Sequence, residues 1–275
     1  MQTAREVAAH RRRANVLGVG IDAVSPAIVV NQLFEATHNG ASGYVCVTGV
    51  HGVMESQRDS ALMQILNDAM LTVPDGMPTV WMGRLQGHRD MSRVYGPTLL
   101  LDVCERSVVT GETHFFYGGG PGVADALAGQ LSARFPGLRV VGTYAPPFRP
   151  LNGREEAELE ARVAAVRPDF FWVGLSTPKQ ERFMAAHHGK LAARIMLGVG
   201  AAFDMHSGRT RQAPSWMQRN GLEWLFRLGQ EPRRLFWRYA RNNPGFVVRA
   251  ALQVAGLRHY SLPLALPGSG QPPQG

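Results

Sequence analysis

The sequence predicts an α/β fold: a largely parallel sheet with helices on both faces, followed by a basic helical appendage. Two observations carry this. From Asn15 to Gly200, apolar runs of strand length alternate with segments of helical periodicity, and such alternation requires crossover connections between parallel strands. After Val199 the pattern changes, with Trp216, Trp224, Phe226, Phe236, Trp237 and Tyr239 threaded among arginines.

Taken in order, strands are expected near Val16–Ile21, Tyr44–Val50, Leu71–Pro74, His114–Tyr117, Arg139–Tyr144, Phe170–Leu175 and Ile195–Val199. Helices are expected over Pro26–Thr37, Ser60–Ala69, Gly122–Phe135, Arg154–Arg167 and Lys179–His188. In the fourth helix acidic residues come early and arginines late, which complements the helix dipole. The boundaries that follow are a flexible N-terminus over 1–14, an α/β core over 15–208, an Arg-rich appendage over 209–250 and a Pro/Gly-rich disordered tail over 251–275.

A chain of 275 residues with 45% hydrophobic residues can bury a substantial core. Cys46 and Cys104 both fall in apolar stretches, which argues against a disulfide framework and for a reducing cytoplasm. Arg11, Arg12 and Arg13 precede no apolar run long enough for a signal peptide, since Asp22 interrupts it. The longest uncharged stretches fall short of the roughly 20 residues of a spanning helix. Membrane contact is therefore expected to be peripheral.

The formal net charge is +8, and only two basic residues besides histidine are lysines, Lys179 and Lys190. Between Arg209 and Arg249 nine arginines face only Glu223 and Glu231. Arginine forks bind phosphate oxygens, and anionic lipid attracts such segments by about 1 kcal/mol per basic residue. A solvated amphipathic helix covering the core is the plain alternative. Nucleic acid fits less well, because the aromatics share the arginines' helices rather than forming a sheet platform.

Ligands of such sheets bind beyond the carboxyl ends of the strands, so polar groups there are the candidate site. Thr48 and His51 follow the second strand beside Gly49 and Gly52. Asp75 follows the third, in Val73-Pro74-Asp75-Gly76, where an Asp before Gly is also a common turn former or helix cap. Gly118, Gly119 and Gly120 form a strand-to-helix turn that would admit a phosphate to a helix N-terminus, without the spacing of a dinucleotide motif. Ser176 to Glu181 opens a helix, where Gln180 could bond a sugar or base and Lys179 a phosphate, or where the segment is merely a cap. Asp204, after Gly198-Val199-Gly200, is a second candidate carboxylate.

No D-x-D triplet, H-E-x-x-H, C-x-x-C, phosphate loop or G-x-S-x-G elbow occurs. The chemistry implied is acid–base work and positioning, with no metal and no cofactor beyond the substrates.

In combination and order, VPDG, RVYG, GGGPGVAD, GLSTPKQE, GVGAAFD and RQAPSWMQRNGLEWLFRLGQEPRRLFWRY resemble the WecG/TagA/CpsF family of bacterial glycosyltransferases, from about Asn15 to Arg241. The resemblance implies a Rossmann-like core and an inverting, metal-independent transfer. The sugar would be N-acetylmannosamine-like or a related hexose, moved from a UDP-sugar to an undecaprenyl-diphosphate-linked acceptor in cell-surface polysaccharide synthesis. It makes Asp75 the general base, with Thr48 and Gln180 in the same pocket. His51, Arg93, Gly119, Gly120 and Asp204 become substrate-binding candidates, and Arg227, Arg233, Arg234 and Arg238 the appendage arginines that close over the site. The protein would then work at the inner face of the cytoplasmic membrane, with a homo-oligomer left open. Val50 and Thr98 stand where many members have Asn and Asp, which bears on the choice of sugar. A non-catalytic UDP-sugar or lipid-phosphate binding protein, and a dinucleotide-dependent oxidoreductase, are the alternatives.

Overall fold

The computed structural model describes residues 11–263. Six parallel strands form the central sheet: β3 (Gly43–Thr48), β4 (Leu71–Pro74), β5 (Thr113–Gly118), β6 (Arg139–Tyr144), β7 (Phe170–Gly174) and β8 (Ile195–Gly198). Their spatial order is β4-β3-β8-β7-β5-β6. Because successive side chains face opposite sides of a strand, each apolar run feeds two cores. Val45, Val47, Phe116, Phe170 and Trp172 enter one. Tyr44, Cys46, Phe115, Tyr117, Phe171 and Val173 enter the other. The edge strand β6 is only half-buried and accordingly less apolar.

The helices of the α/β core are α1 (Pro26–His38), α2 (Val50–Ser56), α3 (Ser60–Asp68), α4 (Met77–Leu85), α5 (Gly96–Thr110), α6 (Val123–Arg134), α7 (Gly153–Val166), α8 (Lys179–His187) and α9 (Ala202–His206). Local chemistry sets several of their starts. The Ser25 hydroxyl caps α1 ahead of Pro26. Asn152 and Glu155 form a capping box on α7.

Two expectations need correction. The single strand expected over Val16–Ile21 is an antiparallel hairpin outside the main sheet, β1 (Arg13–Val16) and β2 (Val19–Asp22), turning at Leu17 and Gly18, both at positive φ. The strand expected to reach Val50 ends at Thr48, and Val50 opens α2. The appendage is helical as expected, built of three helices, α10 (Ser215–Arg219), α11 (Glu223–Gln230) and α12 (Pro232–Val254).

Order also extends past the expected boundaries. Arg11 binds Asp22 and the Ala69 carbonyl, so part of the segment expected to be flexible is tied to the fold; residues 1–10 lie outside the described part. In the segment expected to be a disordered tail, α12 continues to Val254, and the Tyr260 carbonyl accepts a 2.6 Å bond from Asn15 Nδ2. The rest of that segment, 264–275, lies outside the described residues. Among the described residues no helix is long and apolar enough to cross a membrane.

Candidate active site

Strand order decides which strand ends share a site. The carboxyl ends of β4, β3, β8 and β7 are neighbours, and with α4, α11 and α12 they enclose a cavity of about 810 Å³. Asp75, His51, Gln180, Arg93, Arg227 and Arg238 line it. Thr48 sits between the lining residues Val47 and Gly49, its side chain buried and its Oγ1 without a hydrogen-bond partner.

The other candidates fall outside. Gly119 and Gly120 follow β5, which is separated from β8 by β7; their turn is not part of the cavity lining and has Arg209 beside it. Asp204 is in α9, where its carbonyl accepts the amides of Arg209 and Thr210. Arg233 and Arg234 are exposed on α12, and Arg234 pairs with Glu231. Of the two positions that depart from the family pattern, Val50 lines the cavity while Thr98 lines a smaller neighbouring hollow with Arg93 and Tyr95.

Backbone fit positions Asp75. Its amide bonds the Thr48 carbonyl at 2.9 Å, tying the ends of β3 and β4 together. A β-carbon at Gly49 would lie 2.4 Å from the Asp75 carbonyl oxygen, so only glycine allows this approach. Gly76 then takes φ +97 and turns the chain into α4, with Pro78 in its first turn. The Asp-Gly pair is thus a helix entry that also places the candidate carboxylate on the cavity wall.

The electrostatics of Asp75 follow from its neighbours. Arg93 Nη2 is 3.5 Å from Asp75 Oδ1 but donates its hydrogen bond to Glu223, while its guanidinium lies 4.0 Å from the Tyr95 ring centroid. Oδ1 is enclosed without a hydrogen bond. The side chain as a whole keeps about 36% exposure toward the cavity. Desolvation raises the Asp75 pKa from 3.8 to about 6; Arg93 and Arg227 oppose this and Glu223 adds to it.

Across the cavity, His51 Nδ1 accepts from Asn242 Nδ2 at 3.0 Å. Burial, followed by Arg238, lowers its pKa to about 4, so the ring is neutral at physiological pH. Gln180 Nε2 donates to Glu181 Oε1, and Gln180 Oε1 has no partner. The unpartnered oxygens of Thr48, Gln180 and Asp75 are groups that a polar ligand or water would satisfy.

Sequence reasoning missed Glu223, Tyr95 and Asn242 as site residues. The signal available for Glu223 was its rarity, one of two carboxylates among nine arginines.

The sequence model of the glycosyl transferase WecG/TagA/CpsF family matches residues 14–260. The chain belongs to this family. It is a glycosyltransferase on an α/β core, and the match includes all three appendage helices. The N-acetylglucosaminyldiphosphoundecaprenol N-acetyl-β-D-mannosaminyltransferase of Bacillus subtilis is 28% identical over 67% of this chain and 68% of its own. The protein of the same name from Bacillus spizizenii is 28% identical over 70% of this chain and 72% of its own.

Proposed function

We propose that this glycosyltransferase moves an N-acetylmannosamine-like sugar or related hexose from a UDP-sugar to a hydroxyl of an undecaprenyl-diphosphate-linked sugar, with inversion and without a metal. The relatives named above act on a diphosphoundecaprenol-linked acceptor. The observation that carries the mechanism is the Asp75 carboxylate at the mouth of the sheet, its pKa raised to about 6 and its open side facing the cavity. Such a group is ionised at neutral pH yet basic enough to take a proton as the hydroxyl attacks.

In this reading Asp75 removes the acceptor proton while the hydroxyl attacks the anomeric carbon, and UDP leaves from the opposite face. General base catalysis of this kind is worth roughly 10²–10⁴-fold. Arg227 and Arg238 offset phosphate charge, the work a metal does in other transferases. The exposed arginines Arg233, Arg234 and Arg241 suit peripheral contact with the inner face of the cytoplasmic membrane in cell-surface polysaccharide synthesis.

The test is a panel of UDP-sugars offered with a short-chain polyprenyl-diphosphate N-acetylglucosamine acceptor, read by mass spectrometry. One donor should give a disaccharide product without added divalent cation and in the presence of chelator. Loss of all transfer in chelator would refute the metal-free reading, and transfer to no acceptor would refute the substrate class.

A further inference from the structure

One face of α12 changes character along its length. The residues it turns to the cavity begin as Arg238, Tyr239, Asn242 and Asn243 and continue as Phe246, Val247, Ala250, Ala251 and Val254. These recur at helical spacing, so a single stripe runs from basic and polar to wholly apolar. At a rise of about 1.5 Å per residue, the apolar part is roughly 12 Å long.

The facing wall is α4, which presents Met77, Pro78, Trp81, Met82 and Leu85. Along the cavity the α4 wall begins at Met77, two residues after Asp75, the α12 wall begins at Arg238, and the carboxyl ends of both helices are tied to Asn15. The Asn15 carbonyl accepts Gln86 Nε2, just beyond α4, and Gln253 Nε2, in the last turn of α12, each at 2.8 Å. The two walls are therefore tied together at their carboxyl ends, and between them the cavity continues as an exposed apolar trough.

This trough is open and dry in character. Trp81, Leu85, Val247 and Val254 line it and remain 46%, 68%, 65% and 56% exposed. A contiguous exposed apolar strip leading out of a catalytic cavity marks a ligand surface more than a packing residue.

We propose that the trough between α4 and α12 binds the first isoprenoid units of the acceptor's polyprenyl chain. The inference rests on the acceptor class proposed above. An acceptor of that class is, in order, a sugar hydroxyl, a diphosphate and an isoprenoid. The same cavity offers Asp75, the pair Arg227 and Arg238, and the apolar trough. The chain is thus recognised by the protein as well as by the bilayer, with Trp81, Val247 and Ala251 setting that recognition.

The experiment uses the full chain, no vesicles, and two N-acetylglucosamine diphosphate acceptors below their aggregation limits, one with a methyl tail and one with a farnesyl tail. For the unaltered protein kcat/KM should rise about tenfold or more from methyl to farnesyl, as burial of several methylenes predicts. Val247→Asp and Ala251→Glu should remove most of that ratio. Val248→Asp, on an exposed part of α12 outside the trough, should preserve it.

Equal kcat/KM for the two tails, or equal loss of the ratio in Val248→Asp, would overturn the groove. If the trough variants kept the full ratio, that would overturn it too. Transfer to the methyl acceptor in those cases leaves the proposed reaction standing. Absence of transfer to either tail by the unaltered protein would instead count against the reaction itself and the groove with it.

Discussion

Arg93 faces Asp75 across 3.5 Å and yet gives its hydrogen bond to Glu223. The guanidinium is shared unequally between two carboxylates, one on the sheet and one on the appendage. Asp75 gains some cationic field without being neutralised by a tight pair. That leaves desolvation as the larger effect and the pKa at about 6.

The first prediction concerns pH. A base must be ionised to act, so kcat/KM should rise with pH through about 6 and level off above it. Asp75→Asn should lose that limb together with roughly 10²–10⁴ of turnover. Steady-state rates from pH 5 to 8 check both, and unimpaired turnover in Asp75→Asn would end the base assignment.

The second follows from the shared guanidinium. Glu223 raises the Asp75 pKa and Arg93 lowers it. Glu223→Gln should therefore move the acidic limb to lower pH, and Arg93→Met should move it to higher pH. Both variants remove one member of a half-buried ion pair and should lower Tm, since the charge left without its partner costs energy. Opposite shifts of the limb are what general loosening would not produce; shifts in one direction for both would contradict the arrangement.

How much of this was legible in the sequence follows from what each feature depends on. The parallel sheet was readable because strands buried on both faces must be apolar throughout, as Phe170–Gly174 is. Asp75 was readable as a polar residue at a strand end. The glycine turn at Gly119 and Gly120 has the same local look, but whether it shares the cavity depends on β5 lying beyond β7, and strand order is not written in local periodicity. Glu223 comes from α11, nearly 150 residues beyond Asp75, so only packing of the appendage reveals it. The β1–β2 turn was hidden because Leu17 adopts φ +52, a region where leucine is rare.

A third prediction concerns stability. The fold disfavours ionised Asp75, because its pKa is raised from 3.8 to about 6. The associated stability is fully present below pH 3.8 and is lost as pH rises through about 6. Asn carries no charge and escapes the loss. With the open side of the carboxylate screened by solvent, the gain in Asp75→Asn should be roughly 1 kcal/mol at pH 8, about 2–4 °C in Tm. At pH 4 the two proteins should melt together, and a variant less stable at pH 8 would contradict the raised pKa.

The last prediction uses a buried group remote from the cavity. His114 on β5 is fully buried, accepts Trp172 Nε1 on Nδ1 at 3.0 Å and lies with its ring parallel to that indole. Burial drives its pKa from 6.5 to about 3, so the folded protein holds it neutral. Its contribution is complete above pH 6.5 and is lost as pH falls toward 3, at up to about 1.4 kcal/mol per pH unit. His114→Phe lacks this proton-linked loss but leaves the Trp172 N–H unpaired, a cost of about 1–3 kcal/mol. Urea titrations should find the variant less stable at pH 7.5 and the gap narrowing, or reversing, by pH 5. A gap that stays constant over that range would mean that His114 already binds its proton in the folded state.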